Sequence, residues 1–120
     1  MNPKTEELLQ RVFKFGIDVL NLLLVLPKNR VYDVIIFQLA KSSTSIGANY
    51  EEAQAAESTK DFIHKIGIVL KEIRESNYWL RVLAAISPRN TSNSELKRLL
   101  NESVGLRKIF TTIKMKAEKK

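Results

Sequence analysis

The sequence predicts an all-α fold, an up-down-up-down four-helix bundle with left-handed packing that forms one domain over residues 1–120. Three observations predict it. Glycine and proline are scarce, at four and three in 120 residues, so long helices run with few interruptions. No run of alternating apolar and β-branched residues is long enough for a sheet, whereas four long segments repeat apolar residues at spacings of three and four. Three short connections join the segments, which makes consecutive helices antiparallel. With 44% hydrophobic and 28% charged residues, the chain can bury its own core, and disorder is disfavoured.

The helices are expected at about 3–26, 30–56, 59–86 and 93–116. The first opens at Asn2-Pro3, a cap followed by proline at the first helical position, with Glu6 and Glu7 suiting the helix dipole, and it ends before Pro27. Its apolar residues, from Leu8 and Leu9 through Val12, Phe13 and Ile17 to Leu24 and Leu26, fill an arc of roughly 220° at 100° per residue. One side of a lone bundle needs much less. The surplus implies either deep burial or a surface for identical subunits, and in so small a protein a homo-oligomer is the expectation.

In the second segment Gln38, Ser42, Ser45, Asn49 and Glu52 recur at spacings of four, three, four and three, which forms one narrow stripe. Such a stripe is either a solvated face or a polar seam. Val31 and Val34 flank it on one side, and Ile35, Leu39, Ile46 and Ala53 on the other. The expectation is therefore a semi-buried seam, hydrogen-bonded to neighbouring helices or waters and fixing the packing register.

The third segment starts at Ser58, a cap with Asp61 three places on, and keeps a four-three rhythm through Phe62, Ile66, Val69, Ile73, Ser76, Leu80 and Leu83. Lys71 and Glu75, four apart on its outer side, read as a surface ion pair. After a polar loop over 89–93, Ser92 and Glu95 have capping-box spacing, and Leu96, Leu99, Ser103, Leu106, Phe110 and Ile113 form the inner face of the last helix.

The net charge of +7 is concentrated. Residues 1–88 hold 11 Lys and Arg against 10 Asp and Glu; residues 89–120 hold nine against three. On the last helix Lys97, Arg98, Lys108, Lys116 and Lys119 gather opposite Leu99 and Phe110, with Arg107 and Lys114 at the margin, Lys120 beyond, and Glu95, Glu102 and Glu118 off that face. A cationic stripe suits phosphate backbone, RNA or DNA, through counterion release. An acidic protein partner is the competing reading, and lysine-rich ends also serve solubility alone. A membrane surface is disfavoured because the opposite face is needed for the core. Aromatic residues are absent from the stripe, so backbone contact rather than base stacking is expected.

Chemistry finds little support. There is no cysteine, which removes disulfides, thiolate zinc and cysteine nucleophiles. The single histidine, His64, forms one Asp61-Phe62-Ile63-His64 element, where a di-iron bundle needs two Glu-x-x-His elements, so no metal is expected and His64 is placed on the outer side of its helix. No glycine-rich phosphate loop or serine-nucleophile motif occurs, and adjacent Glu51 and Glu52 point different ways on a helix. Catalysis would need a deep polar pocket around Asn49 and Glu52. The expectation is a protein that is not an enzyme and needs no cofactor. The polar, acidic start and the absence of cysteine suggest a cytoplasmic protein, and Val19–Leu26, broken by Asn21, is too short to span a bilayer.

The runs Gln38-Leu39, Ser42 to Ala53, Glu57-Ser58, Asp61 to Lys65, Lys71 to Ser76 and Tyr78-Trp79-Leu80 resemble the bacterial four-helix bundle proteins. That family includes the proteins encoded in intervening sequences of 23S rRNA genes, often labelled ribosomal proteins. The resemblance covers roughly residues 8–115 and includes a proline, Pro27, before the second helix. It implies a homopentameric ring with a basic surface. A related branch resembles the accessory protein of diversity-generating retroelements, which binds nucleic acid and a reverse transcriptase. No catalytic residues carry over. Many members have Asn-x-x-Glu-Gly in the second helix; here Asn49 and Glu52 match, and Ala53 stands in place of the glycine.

Overall fold

The computed structural model describes residues 2–86, 88–91 and 93–120, with the backbone alone of Pro88 and Thr91. Four long helices, α1 (Pro3–Leu24), α2 (Arg30–Ala53), α3 (Thr59–Ala85) and α5 (Ser94–Glu118), are joined by short links, one of which contains the single-turn helix α4 (Pro88–Thr91). Helix α1 packs on α2 and α5, and α3 packs on the same two, so α1 and α3 are diagonal, as are α2 and α5. The result is a four-helix bundle about 47 Å long.

Capping follows the expected chemistry. The Asn2, Asn29 and Ser58 side chains accept from the backbone N–H groups of Lys4, Tyr32 and Asp61 at 2.8–3.0 Å. The last long helix differs. Its cap is Asn93, which accepts from the Leu96 N–H at 3.0 Å; the expected cap residue, Ser92, lies outside the described residues, as does Ser87 at the end of α3. Two helices stop short of their expected ends because the N–H groups of Val25, Leu26, Gln54, Ala55 and Ala56 bond carbonyls only three residues back, which tightens each end into a turn. The expected polar loop at 89–93 overlaps α4. There Asn90 is buried, and its amide donates at 3.0 Å both to the Tyr32 hydroxyl and to the Leu83 carbonyl.

The core is built from the rows expected on α3 and α5. Ile66, Val69, Ile73, Leu80 and Leu83 meet Leu96, Leu99, Leu106 and Phe110, and Tyr50 packs edge-on against Phe110 with ring centroids 4.9 Å apart. Between α1 and α2 the backbones come close. A Cβ on Gly16 would lie 3.3 Å from the Ser43 carbonyl oxygen, and one on Gly47 would lie 3.7 Å from the backbone of Val12 and Phe13.

The expected semi-buried seam on α2 is met in burial at Gln38, Ser42, Ser45 and Asn49, but among the described residues only Ser42 bonds a neighbouring helix. Only Ser42 enters the interior, where it accepts from the Ser76 hydroxyl at 2.9 Å. Ser45 donates to the Lys41 carbonyl and Asn49 to the Ser45 carbonyl, both on their own helix. Gln38 is half-buried and Glu52 exposed, on an open surface groove rather than a deep polar pocket. The reason lies in Val31 and Val34. They are 63% and 57% exposed, so they do not belong to the core face that they suggest. The buried row, Ile35, Leu39, Ser42, Ile46, Tyr50 and Ala53, is centred about a quarter turn away from the predicted stripe.

Candidate nucleic-acid interface

The basic surface is set by α5, whose inner row docks it on α3 and α1 and so turns its lysines outward. Lys97, Lys108, Lys116 and Lys119 are exposed and form no ion pair among the described residues. Lys97 and Lys119 are 22 positions apart, a span of about 33 Å at helical rise. Arg107 is also exposed and unpaired, on the side of α5 that meets α3. Lys114 lies 3.8 Å from Glu118, a loose pair that solvent screens. Lys120 sits at the bundle end beside Ala53 and Phe62.

Arg98 departs from expectation. Its Nε and Nη2 donate to the Glu95 carboxylate at 2.7 Å, and the same Nη2 donates to Asp18 of α1 at 2.8 Å. Asp18 also accepts from Lys14. The hydrogen bond from Lys14, and after it that from Arg98, holds the Asp18 carboxyl below its usual range. Arg98 does the same for Glu95. Arg98 is therefore a clasp between α5 and α1 and not part of an open cationic stripe. A second clasp on the same seam joins Arg11 to Glu102 through two bonds of 2.7 and 2.8 Å. Glu95 and Glu102 were expected to lie off the cationic face, and their positions on the α1 side bring these partners within reach.

Helix α3 also contributes to the basic surface, at residues whose own helix alone gives no sign of a site. Arg74, Asn77 and Arg81 lie along the edge of α3 that faces α5, and with Ser103, Val104 and Arg107, over Ile73, they line a groove of about 380 Å³. Their spacing of three and four was the available signal, but it is visible as a site only once α5 brings Arg107 alongside. Lys71 and Glu75 form no ion pair among the described residues. Glu72 lies toward Lys41 of α2; burial raises its pKa, and the Glu75 charge adds to the shift.

Among the described residues no three His, Cys, Asp or Glu side chains come together in a way that could hold a metal, and His64 is exposed. No helix among the described residues is long and apolar enough to cross a membrane.

A family model for the 23S rRNA-intervening sequence protein matches residues 4–112. The chain belongs to this family. A solved member of the S23 ribosomal protein family from Bacteroides thetaiotaomicron VPI-5482, itself described as a protein with unknown function, is 32% identical to this intervening-sequence family chain. The match covers 88% of this chain and 95% of that one, with a TM-score of 0.78. No curated protein matches. Membership of the intervening-sequence family agrees with the four-helix bundle seen here.

Proposed function

We propose that this protein is a non-enzymatic, homo-oligomeric bundle that binds the phosphate backbone of RNA or DNA through its basic C-terminal helix. The observation that carries the reading is the segregation of charge. Nearly all of the positive excess falls in residues 89–120, and Lys97, Arg107, Lys108, Lys116 and Lys119 are solvent-facing without carboxylate partners among the described residues. Arg98 is left out of the contact set because Glu95 and Asp18 already neutralise it.

Self-association is supported by a different surface. Phe13, Leu24 and Phe37 are 64%, 76% and 64% exposed on the α1–α2 side, far from what a lone domain needs to leave in water. Beside Phe13 and Ile17, the close approach at Gly16 and Gly47 leaves a groove of about 230 Å³ that can receive a side chain of another copy. A pentameric ring would present five copies of the α5 surface and multiply a weak backbone contact.

Fluorescence anisotropy with labelled duplex and single-stranded oligonucleotides at 50 and 200 mM salt tests the binding. Five phosphate contacts on duplex DNA predict an affinity loss of about 10²–10³-fold across that range. Binding of an acidic protein with no salt-sensitive binding to any nucleic acid would replace this reading with a scaffold. Light scattering of F13Q/L24Q/F37Q tests the assembly, which the proposal expects to fall to monomer.

A further inference from the structure

The α3–α5 groove has the features of a specific seat and not only of a charged face. Among the described residues three arginines line it and no carboxylate does. Arg74 and Arg107 make no ion pair and no side-chain hydrogen bond among the described residues. Arg81 is held in place. Its Nε donates to the Asn77 amide oxygen at 2.9 Å, and its guanidinium lies 5.6 Å from the Tyr78 ring centroid. Asn77 is fixed in turn by donating at 2.9 Å to the Ser103 hydroxyl, which donates at 2.7 Å to the Leu100 carbonyl. This relay settles the orientation of Asn77 and occupies the Nε of Arg81. The Nη atoms of Arg81 make no hydrogen bond among the described residues, so its two-pronged edge is the part left to meet a ligand.

Like charges gathered without counter-charge repel one another, and an anion in the groove relieves that repulsion. Planar guanidinium forks match the oxygens of a phosphate or a carboxylate. The surroundings favour phosphate. Lys108 lies one residue beyond Arg107 and Lys97 about three turns before it, so the positive surface continues along α5 on both sides of the groove, as a repeating polyanion requires. Glu72 lies on the opposite, α2-facing side of α3.

We propose that the α3–α5 groove is a phosphate-binding site in which Arg74, Arg81 and Arg107 seat one phosphodiester group of a bound strand. The site sets the register of that strand while the lysines of α5 supply diffuse attraction. The assignment of a strand as the source of the phosphate rests on the nucleic-acid reading above; the groove itself does not.

The test uses the full chain, labelled at arginine Nε, with inorganic pyrophosphate and a 20-nucleotide oligonucleotide as probes. R74K/R107K keeps the charge and removes the forks, at side chains that make no hydrogen bond or ion pair among the described residues, so folding should be retained and is checked by circular dichroism. Pyrophosphate should shift the Nε–Hε signals of Arg74, Arg81 and Arg107, and R74K/R107K should weaken oligonucleotide binding by about tenfold or more. K97Q/K108Q should instead reduce the salt slope and leave the pyrophosphate shifts intact. Oligonucleotide binding unaffected by R74K/R107K, with the arginine signals unmoved by pyrophosphate, would overturn the seat while the backbone-binding reading stood. Arginine shifts with pyrophosphate but no oligonucleotide binding by the wild type would keep the phosphate site and end the strand assignment. Poly-glutamate moving the same signals at lower concentration than pyrophosphate would overturn phosphate in favour of an acidic protein.

Discussion

The Ser42–Ser76 pair allows a sharp test of how the bundle tolerates polar groups inside. Both residues are fully buried, one on α2 and one on α3. Ser76 donates to Ser42 at 2.9 Å, and Ser42 donates to the Leu39 carbonyl at 3.4 Å. The two hydroxyls are not equivalent. In S76A, Ser42 keeps its own acceptor and loses only an accepted bond, at a cost of about 0.5–1.5 kcal/mol. In S42A the Ser76 hydroxyl loses its acceptor in a site without solvent, at a cost of about 1–3 kcal/mol, toward the low end if it turns to its own helix backbone. The double variant S42A/S76A removes both groups together and should lie near wild type, less destabilised than S42A alone. Urea unfolding followed at 222 nm, at one fixed protomer concentration, reads all four proteins, with equal m-values as the condition for comparison. If S76A costs more than S42A, the assigned direction of the hydrogen bond is wrong, and if the double variant costs the sum of the singles, the desolvation argument is wrong.

Three further outcomes follow from the ion pairs and the core. R98Q should lower stability by about 0.5–1 kcal/mol at low salt, because its partners are solvent-accessible, and should leave oligonucleotide affinity within about twofold, whereas K97Q/K108Q lowers it clearly; paired melts and anisotropy check this. Because the folded-state pKa values of Asp18 and Glu95 are lowered, their stabilisation is complete above the ordinary carboxylate range, about 4 to 4.5, and is lost as pH falls through the lower folded values. The acid limb of the stability–pH curve should therefore be shallower in R98Q than in wild type. F110A, which empties a fully buried site against Tyr50, should cost about 3–5 kcal/mol in chemical denaturation, and F110L should recover much of that loss.

What the sequence discloses depends on whether a residue answers to its own helix or to another. The rows on α3 and α5 were legible because apolar residues there fall on one side only, so periodicity and burial agree. On α2 they disagree. Val31, Val34 and Phe37 are apolar and exposed, while Ser42 and Ser43 are polar and buried, so counting apolar neighbours rotates the apparent inner face. The misleading valines and Phe37 lie on the helix pair whose exposed apolar surface underlies the proposed self-association; an apolar face left outside the core imitates a core face in one dimension. Caps were legible at Asn2 and Ser58 because their partners lie within three residues. The pairing of Arg98 with Asp18 spans 80 positions and that of Arg11 with Glu102 spans 91, and no local pattern announces either. The same holds for the arginine groove. Arg74 and Arg81 look like ordinary solvated positions until Arg107 is set beside them.

Asn90 makes the two ends of the bundle unequal in how much added sequence they can absorb. Its amide ties the connection before α5 to the start of α2 and the end of α3 at once, so lengthening that connection pulls a buried donor off two acceptors. The link over 54–58 is surface chain held by short local bonds, and an inserted tag or domain there costs little beyond loop entropy. Reporter fusions and surface display of this scaffold belong at the 54–58 end, where the latch at the far end stays closed.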